Sequence, residues 1–316
     1  MTRSVSCLYA AAIAFAAAAC AQEAKATEAV AGRYIPGAYA GPGAGIVPPM
    51  PGAYWAMANV YYNGSAGTNV PFGDNQIALG LKADIWNTVL AGVYVPNLDL
   101  PGNWTYAVQG SLPIGWTKAE ADVGRFETVQ DVTGIGDIAI TPILLGWHNE
   151  AFNRFFSASL TVTAPTGEWE KGDIAFIGLN YWTFTPAIAF TYLVPEHGLD
   201  LSASLGVDIN TKNTDTDYYS GAMAHLDLSV TKNVTKELAF GAVAGFLYQF
   251  EDDRSTFADA NNGFKGRSIG LGPLVNYKAK FGENTEIDFK LKWVHEVSVE
   301  NRMKGNAIFF NVAGKF

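Results

Sequence analysis

Cysteine is scarce in this chain, and both copies, Cys7 and Cys20, lie within residues 1–21. That stretch reads as a secretory signal. Arg3 gives a short positive start, and LYAAAIAFAAAAC is an apolar run too short and too alanine-rich for a membrane span. Ala19 and Ala21 fit the small-x-small cleavage pattern. Cleavage after Ala21 removes both thiols, which excludes disulfides, thiolate nucleophiles and cysteine metal sites from the mature chain. The rival reading is lipidation of Cys20, against which stands an all-alanine approach in place of a leucine-led box.

Positive charge is also short. Lys and Arg number 21 against 30 Asp and Glu, for a formal net charge of −9. Nucleic acid, which selects basic surface, is excluded as a partner. Histidine is limited to four, and His148, His197 and His295 do not fall at zinc-ligand spacing, so no metal is expected. No mature segment approaches the roughly 20 consecutive apolar residues of a spanning helix. A β-barrel hides its membrane signal at every second residue and escapes that exclusion.

What the chain does have is strict alternation. GNAIFFNVAGKF, at the end, sets Ile308, Phe310, Val312 and Phe316 against Asn311 and Lys315. YWTFTPAIAFTY puts Trp182, Phe184, Ile188 and Phe190 on one face, and Thr183, Thr185 and Thr191 on the other. LDLSASLGVDIN separates Leu201, Leu205 and Ile209 from Asp200, Ser202, Ser204 and Asp208. TEIDFKLKWVHEV sets Ile287, Phe289, Leu291 and Trp293 opposite Glu286, Asp288, Lys290, Lys292 and Glu296. A period of two makes each of these a strand with two unlike faces. A soluble sandwich would put the charges in water, whereas a barrel in lipid puts them in its lumen. Periodicity alone does not separate the two.

Connection lengths favour the barrel. Strands are expected at about 53–62, 75–95, 104–118, 134–147, 153–164, 179–193, 199–210, 219–231, 237–250, 267–280, 285–298 and 306–316. Twelve is an even number, as a barrel with both termini in the periplasm requires. Long connections (63–74, 119–133, 165–178, 251–266) alternate with short ones such as HNEAF, PEHGL, KNVTK and FGEN. Aromatic residues near strand ends, among them Trp86, Trp116 and Trp293, suit interfacial belts. The expected fold is therefore an all-β transmembrane antiparallel barrel of 12 strands over 53–316, preceded by an arm at 22–52. The arm, with YIPGAYAGPGAGIVPPMPGAY, is too rich in Gly and Pro for helix or central strand. It reads either as a disordered leader or as a plug, with Tyr34, Tyr39, Ile46, Val47 and Met50 (and Ile35) available for docking.

Ten residues are the lumen-facing candidates: Lys82, Asp84, Asp208, His225, Asp227, Asn276, Lys278, Lys290, Lys292 and Glu296. They read as a packed ion network or as groups lining a solute path, since buried charges must be paired or wetted. His225 and Asp227 share a face about 7 Å apart, too far for a direct hydrogen bond, so no catalytic pair is assigned. GIGD at 134–137 lacks the dinucleotide fingerprint and TGEWEKGD lacks the phosphate-loop Lys and Ser/Thr, so both read as turns. DDRSTFADANNGFKGR lacks calcium-hand spacing and reads as solvated loop.

Several blocks, in order, resemble the outer-membrane proteins named for the meta-pathway of phenol degradation. They are PPMPGAYW, GIGDIAITPILLGWH at 134–148, APTGEW at 164–169, GLNYWTFTPAIAFTYL at 178–193, HLDLSVTKNVTKELAFGAVAGFLYQF, IGLGPLVNYKAKF and the final GNAIFFNVAGKF. The similarity runs from about residue 46 to 316 and departs from the usual pattern in the arm and in LDLPGNW at 98–104. It implies a barrel that takes up aromatic or other hydrophobic compounds without a cofactor, with lipid and a small solute as partners. It carries no residue-level site. Two alternatives stay open: a closed structural or anchoring barrel, and, more distantly, an outer-membrane enzyme acting on lipid.

Overall fold

Alternation over this many segments should close a sheet on itself, and it does. The computed structural model describes residues 32–67, 70–72, 76–78, 80–123, 126–260, 262–281 and 285–315. In chain order the strands are β1 (Gly52–Ala66), β2 (Val70–Phe72), β3 (Gln76–Ala78), β4 (Leu81–Val95), β5 (Trp104–Val123), β6 (Phe126–Ile135), β7 (Ala139–His148), β8 (Arg154–Thr163) and β9 (Thr183–Val194). They continue with β10 (Leu199–Asn210), β11 (Lys212–Asn213), β12 (Tyr218–Tyr219), β13 (Met223–Asn233), β14 (Leu238–Gln249), β15 (Arg267–Phe281), β16 (Thr285–Glu300) and β17 (Lys304–Lys315). Twelve of them form the wall: β1, β4, β5, β7, β8, β9, β10 and β13 to β17. Each pairs antiparallel with its neighbours, and β1 closes the ring against β17 from Tyr54↔Lys315 to Ser65↔Lys304. Closure leaves no free edge in the wall.

The sidedness of the strands is the reverse of a soluble protein's. Phe310 is 41% exposed and Trp293 49%, while Lys292 and Glu296 are each 3% exposed. Large apolar side chains cover the outside and ionisable ones turn inward. That pattern needs hydrocarbon around the wall.

Several boundaries differ from the sequence expectation, among them the strand expected at 179–193, which begins at Thr183, and the one expected at 53–62, which runs to Ala66. Residues 119–133 are not a loop: β5 runs on to Val123 and pairs with β6 from Ile114↔Ile135 to Val123↔Phe126. The expected strand at 134–147 is thus a longer one interrupted at 136–138. Gln76–Ala78 belongs to a small separate hairpin with β2 rather than to β4. Residues 219–222 precede the eighth wall strand, Tyr219 pairing with Lys212 and bridging to Arg254. The last strand starts at Lys304 after a three-residue turn, and Phe316 lies outside the described residues, as does the leader with Cys7 and Cys20.

The first and last described residues lie at opposite ends of the barrel. Lys315 sits beside Tyr54 at the short-turn end. Gly32, the first described residue, lies under Arg302 in the β16–β17 turn, at the end that carries the long loops. The expectation of both ends on one side does not describe Gly32, and residues 1–31 lie outside the described residues.

Candidate functional site: the lumen and its arm

Inward-facing polar groups in a barrel must find partners, and the N-terminal arm supplies many of them. Residues 32–51 run down the lumen from the long-loop end to β1. At the top, Arg33 donates to Asp137 (Nη1 to Oδ2, 2.7 Å), to the Thr183 hydroxyl oxygen (2.6 Å) and to the Tyr181 carbonyl (2.6 Å). Arg302 Nη2 donates to the Tyr34 carbonyl at 3.2 Å. Midway, the Lys292 ammonium donates to the carbonyls of Gly37, Ala38 (2.9 Å) and Ala40 (2.7 Å), and lies 4.6 Å from the centre of the Phe309 ring. Lower down, the Gly43 amide donates to Asp200 (3.0 Å) and the Gly45 amide to Thr191 Oγ1 (2.9 Å).

Glycine makes the fit possible on both sides. A Cβ on Gly245 of β14 would stand 2.0 Å from the Gly37 nitrogen, and one on Gly45 would stand 2.8 Å from the backbone of β9. No side chain fits in those gaps, so arm and wall meet backbone to backbone.

The arm residues singled out from sequence fall into two groups. Tyr34 (2% exposed) and Val47 (8%) are buried, the first with Met223 and Leu247, the second with Val95 and Ala107. Tyr39, Ile46 and Met50 are exposed, Ile46 with its methyl end toward Gly43. Tyr39 faces a cavity of about 700 Å3 that the arm leaves open beside it. One side of this cavity is hydroxyl-rich, with Ser111, Thr141, Ser157, Ser159, Thr161 and Thr185. The other is largely apolar, with Ala58, Val60, Ile85, Val89 and Ala91 around Asn87.

The candidate lumen residues divide in a similar way. Asp208, His225, Asp227, Asn276, Lys292 and Glu296 are buried on the inner face. Lys290 is on that face too, 3.8 Å from Asp288, whose carboxylate also accepts from Asn276 at 2.8 Å. Lys278, two positions from Asn276, is exposed at the short-turn mouth. Glu296 accepts from Tyr62 (2.7 Å), Ser268 (2.6 Å) and the Gly305 amide (2.8 Å). His225 does not pair with Asp227. Its nearest carboxylate is Asp208 across the sheet, with Nε2 3.8 Å from Oδ1.

Lys82 and Asp84 correct the expectation: they face outward, on the side of Trp86 and Leu90. The inward residues there are Leu81 and Ala83, which pack with Ala119, Ala121, Ile174 and Ala175. Beyond the Trp86 level the strands extend past the hydrocarbon, so charge returns to the outer, watered face. Asp84 accepts from Tyr61 (2.8 Å) and Asn63 (2.7 Å) there. A Lys on the lipid face would cost about 2–4 kcal/mol at mid-bilayer and little at its rim.

Sequence reading passed over Asp137, treated as part of a turn. It is buried and accepts from the amides of Gly167 (2.8 Å) and Leu179 (2.9 Å) as well as from Arg33. It ties loop 164–182 into the interruption between β6 and β7, where Ala164 and Ile138 also meet (2.9 Å). The one available signal was an acid directly after glycine within an otherwise apolar strand run.

A family model described as "Putative MetA-pathway of phenol degradation" matches residues 61–312. No curated protein sequence matches the chain. Among solved structures, the COG4313 outer membrane channel from Pseudomonas putida F1 is similar at a TM-score of 0.67 and 17% identity, over 90% of this chain and 100% of that one. The transport unit of the autotransporter AIDA-I from Escherichia coli reaches a TM-score of 0.48 at 11% identity, over 84% of this chain and 90% of that one. At these identities the likeness is one of fold.

Proposed function

The chain belongs to the MetA-pathway phenol-degradation family, and on that premise we propose that it is a passive outer-membrane channel for small hydrophobic or aromatic compounds. The cavity of about 700 Å3 beside the arm carries this reading. It has the size of a small-molecule site and a largely apolar wall on β1 and β4, with polar groups from the other strands and the arm around it. The similar Pseudomonas putida structure is itself a channel, which supports the assignment. In this reading the long-loop end faces outward and the short turns face the periplasm, following the asymmetry of such barrels. Lipid surrounds the wall, and no nucleotide or cofactor takes part.

Solute leaves the cavity past the arm or sideways through the wall. The interruption at 136–138 supports the sideways route. Asp137, Ala139 and Thr141 line the lumen there, and an apolar hollow of about 280 Å3 lies behind them, formed by Ile138, Ile140, Pro142, Val162, Ala164 and Trp182. Pro113 and Pro142 each remove a ladder donor near this point.

Liposomes carrying the purified protein should take up radiolabelled toluene faster than protein-free liposomes. Equal rates would defeat the proposal. The closed structural barrel is the second reading, favoured by the many bonds that seat the arm. A lumen that stays shut in planar bilayers, together with no uptake, would select it.

A further inference from the structure

Three rings stack inside the barrel next to the cavity. Tyr34 lies over His225 at 4.5 Å between centroids, and Tyr39 lies 5.4 Å from His225 and 6.1 Å from Tyr34. The stack exists because Gly206 faces His225 across the β10–β13 ladder. A Cβ at Gly206 would stand 2.3 Å from the imidazole. With that space open, the ring lies flat over β10 and its Nε2 comes near Asp208. Tyr39 remains 56% exposed although it stands in the lumen, so the cluster keeps one ring available to the cavity.

Asp208 lines the same cavity, with Thr185 and Ser204 beside it. One oxygen, Oδ1, accepts the Thr185 hydroxyl at 2.7 Å. Two cations near the lumen are already engaged: Arg33 with Asp137, and Lys292 with three arm carbonyls. Arg302 gives one nitrogen to the Tyr34 carbonyl, while its other terminal nitrogen, Nη1, is buried without a partner. A carboxylate near an exposed aromatic face, opposite an apolar wall, selects a particular kind of guest. The body must be flat and apolar, and its polar edge must donate.

We propose that Tyr39 and Asp208 form a subsite for a neutral aromatic ring bearing one hydrogen-bond donor, a hydroxyl or an amino group. The ring stacks on Tyr39, and the donor gives its hydrogen to the Asp208 carboxylate. An aromatic carboxylate is rejected by the like charge of Asp208. A bare hydrocarbon keeps the stacking and loses the bond. This proposal deepens the channel reading and rests on it.

Binding of phenol, toluene and benzoate to the full-length protein in detergent tests it, by equilibrium dialysis. A hydrogen bond to a charged acceptor should favour phenol over toluene roughly tenfold or more. Asp208→Val should bring phenol to the toluene level and leave toluene unchanged. Asp208→Asn keeps an acceptor and removes the charge, so it should retain part of the phenol preference and admit benzoate. Tyr39→Leu should weaken phenol and toluene together, about two- to tenfold. Heat-shifted gel mobility confirms that each variant is a folded barrel. Equal affinities of the wild type for all three probes, or an unchanged phenol-to-toluene ratio in Asp208→Val, overturns the proposal. Selective binding without any liposome uptake would instead defeat the channel reading alone.

Discussion

Lys292→Met should release the arm and leave the barrel standing. The ammonium of Lys292 is the only group described as donating to all three of the Gly37, Ala38 and Ala40 carbonyls, and it holds the arm's turn against β16. Methionine matches the length of the lysine stem and creates no large void. The loss falls on the arm. An orphaned buried carbonyl costs about 1–3 kcal/mol, and lumen water recovers part of that. A net loss of about 3 kcal/mol shifts the docked-to-released ratio roughly a hundredfold. Two assays read this shift. Single-channel conductance in planar bilayers should rise and fluctuate, and a protease added from the long-loop side should cut within residues 32–47. Wild-type conductance together with wild-type protection would refute the view that Lys292 seats the arm.

Other outcomes follow from the same geometry. Gly245→Ala places a Cβ 2.0 Å from the Gly37 nitrogen, so it should displace the arm and raise conductance as Lys292→Met does, with heat-shifted gel mobility unchanged. Asp137→Ala removes the acceptor for Arg33, Gly167 and Leu179, and amide hydrogen exchange across 164–180 should accelerate by at least tenfold. Single cysteines test the facing of the wall: one at Phe310 should react with a lipid-restricted label, and one at Phe309, its buried neighbour, should not. The reverse pattern would turn the barrel inside out.

Much of the wall was legible in the sequence. In TEIDFKLKWVHEV the two faces differ so sharply that β16 and its sidedness follow from alternation alone. Lys82 and Asp84 show where this logic stops. Alternation separates two faces but does not say where along a strand the hydrocarbon ends, and β4 carries charge outward once it rises past Trp86. The 119–133 segment failed for a related reason, since its charged residues read as loop although they decorate a hairpin standing in water. The arm stood between two readings: its aromatic and aliphatic residues allowed a plug, but nothing in them named the partners. Its contacts are main-chain amides and carbonyls meeting Lys292, Asp200 and Thr191, and backbone groups leave no mark in a side-chain pattern. Asp137 escaped because a single acid after glycine looks like any turn.

The seating of the arm bears on how the molecule is assembled. Gly32 stands at one mouth and β1 begins at the other, so the chain travels the height of the bore before its first wall strand. Had the β1–β17 seam zipped first, residues 32–51 would have to be threaded into a bore already closed around Lys292, Asp200 and Thr191. Closing the wall around a seated arm avoids that threading, and on this view a bulky fusion placed ahead of the arm should stall seam closure rather than merely decorate the surface.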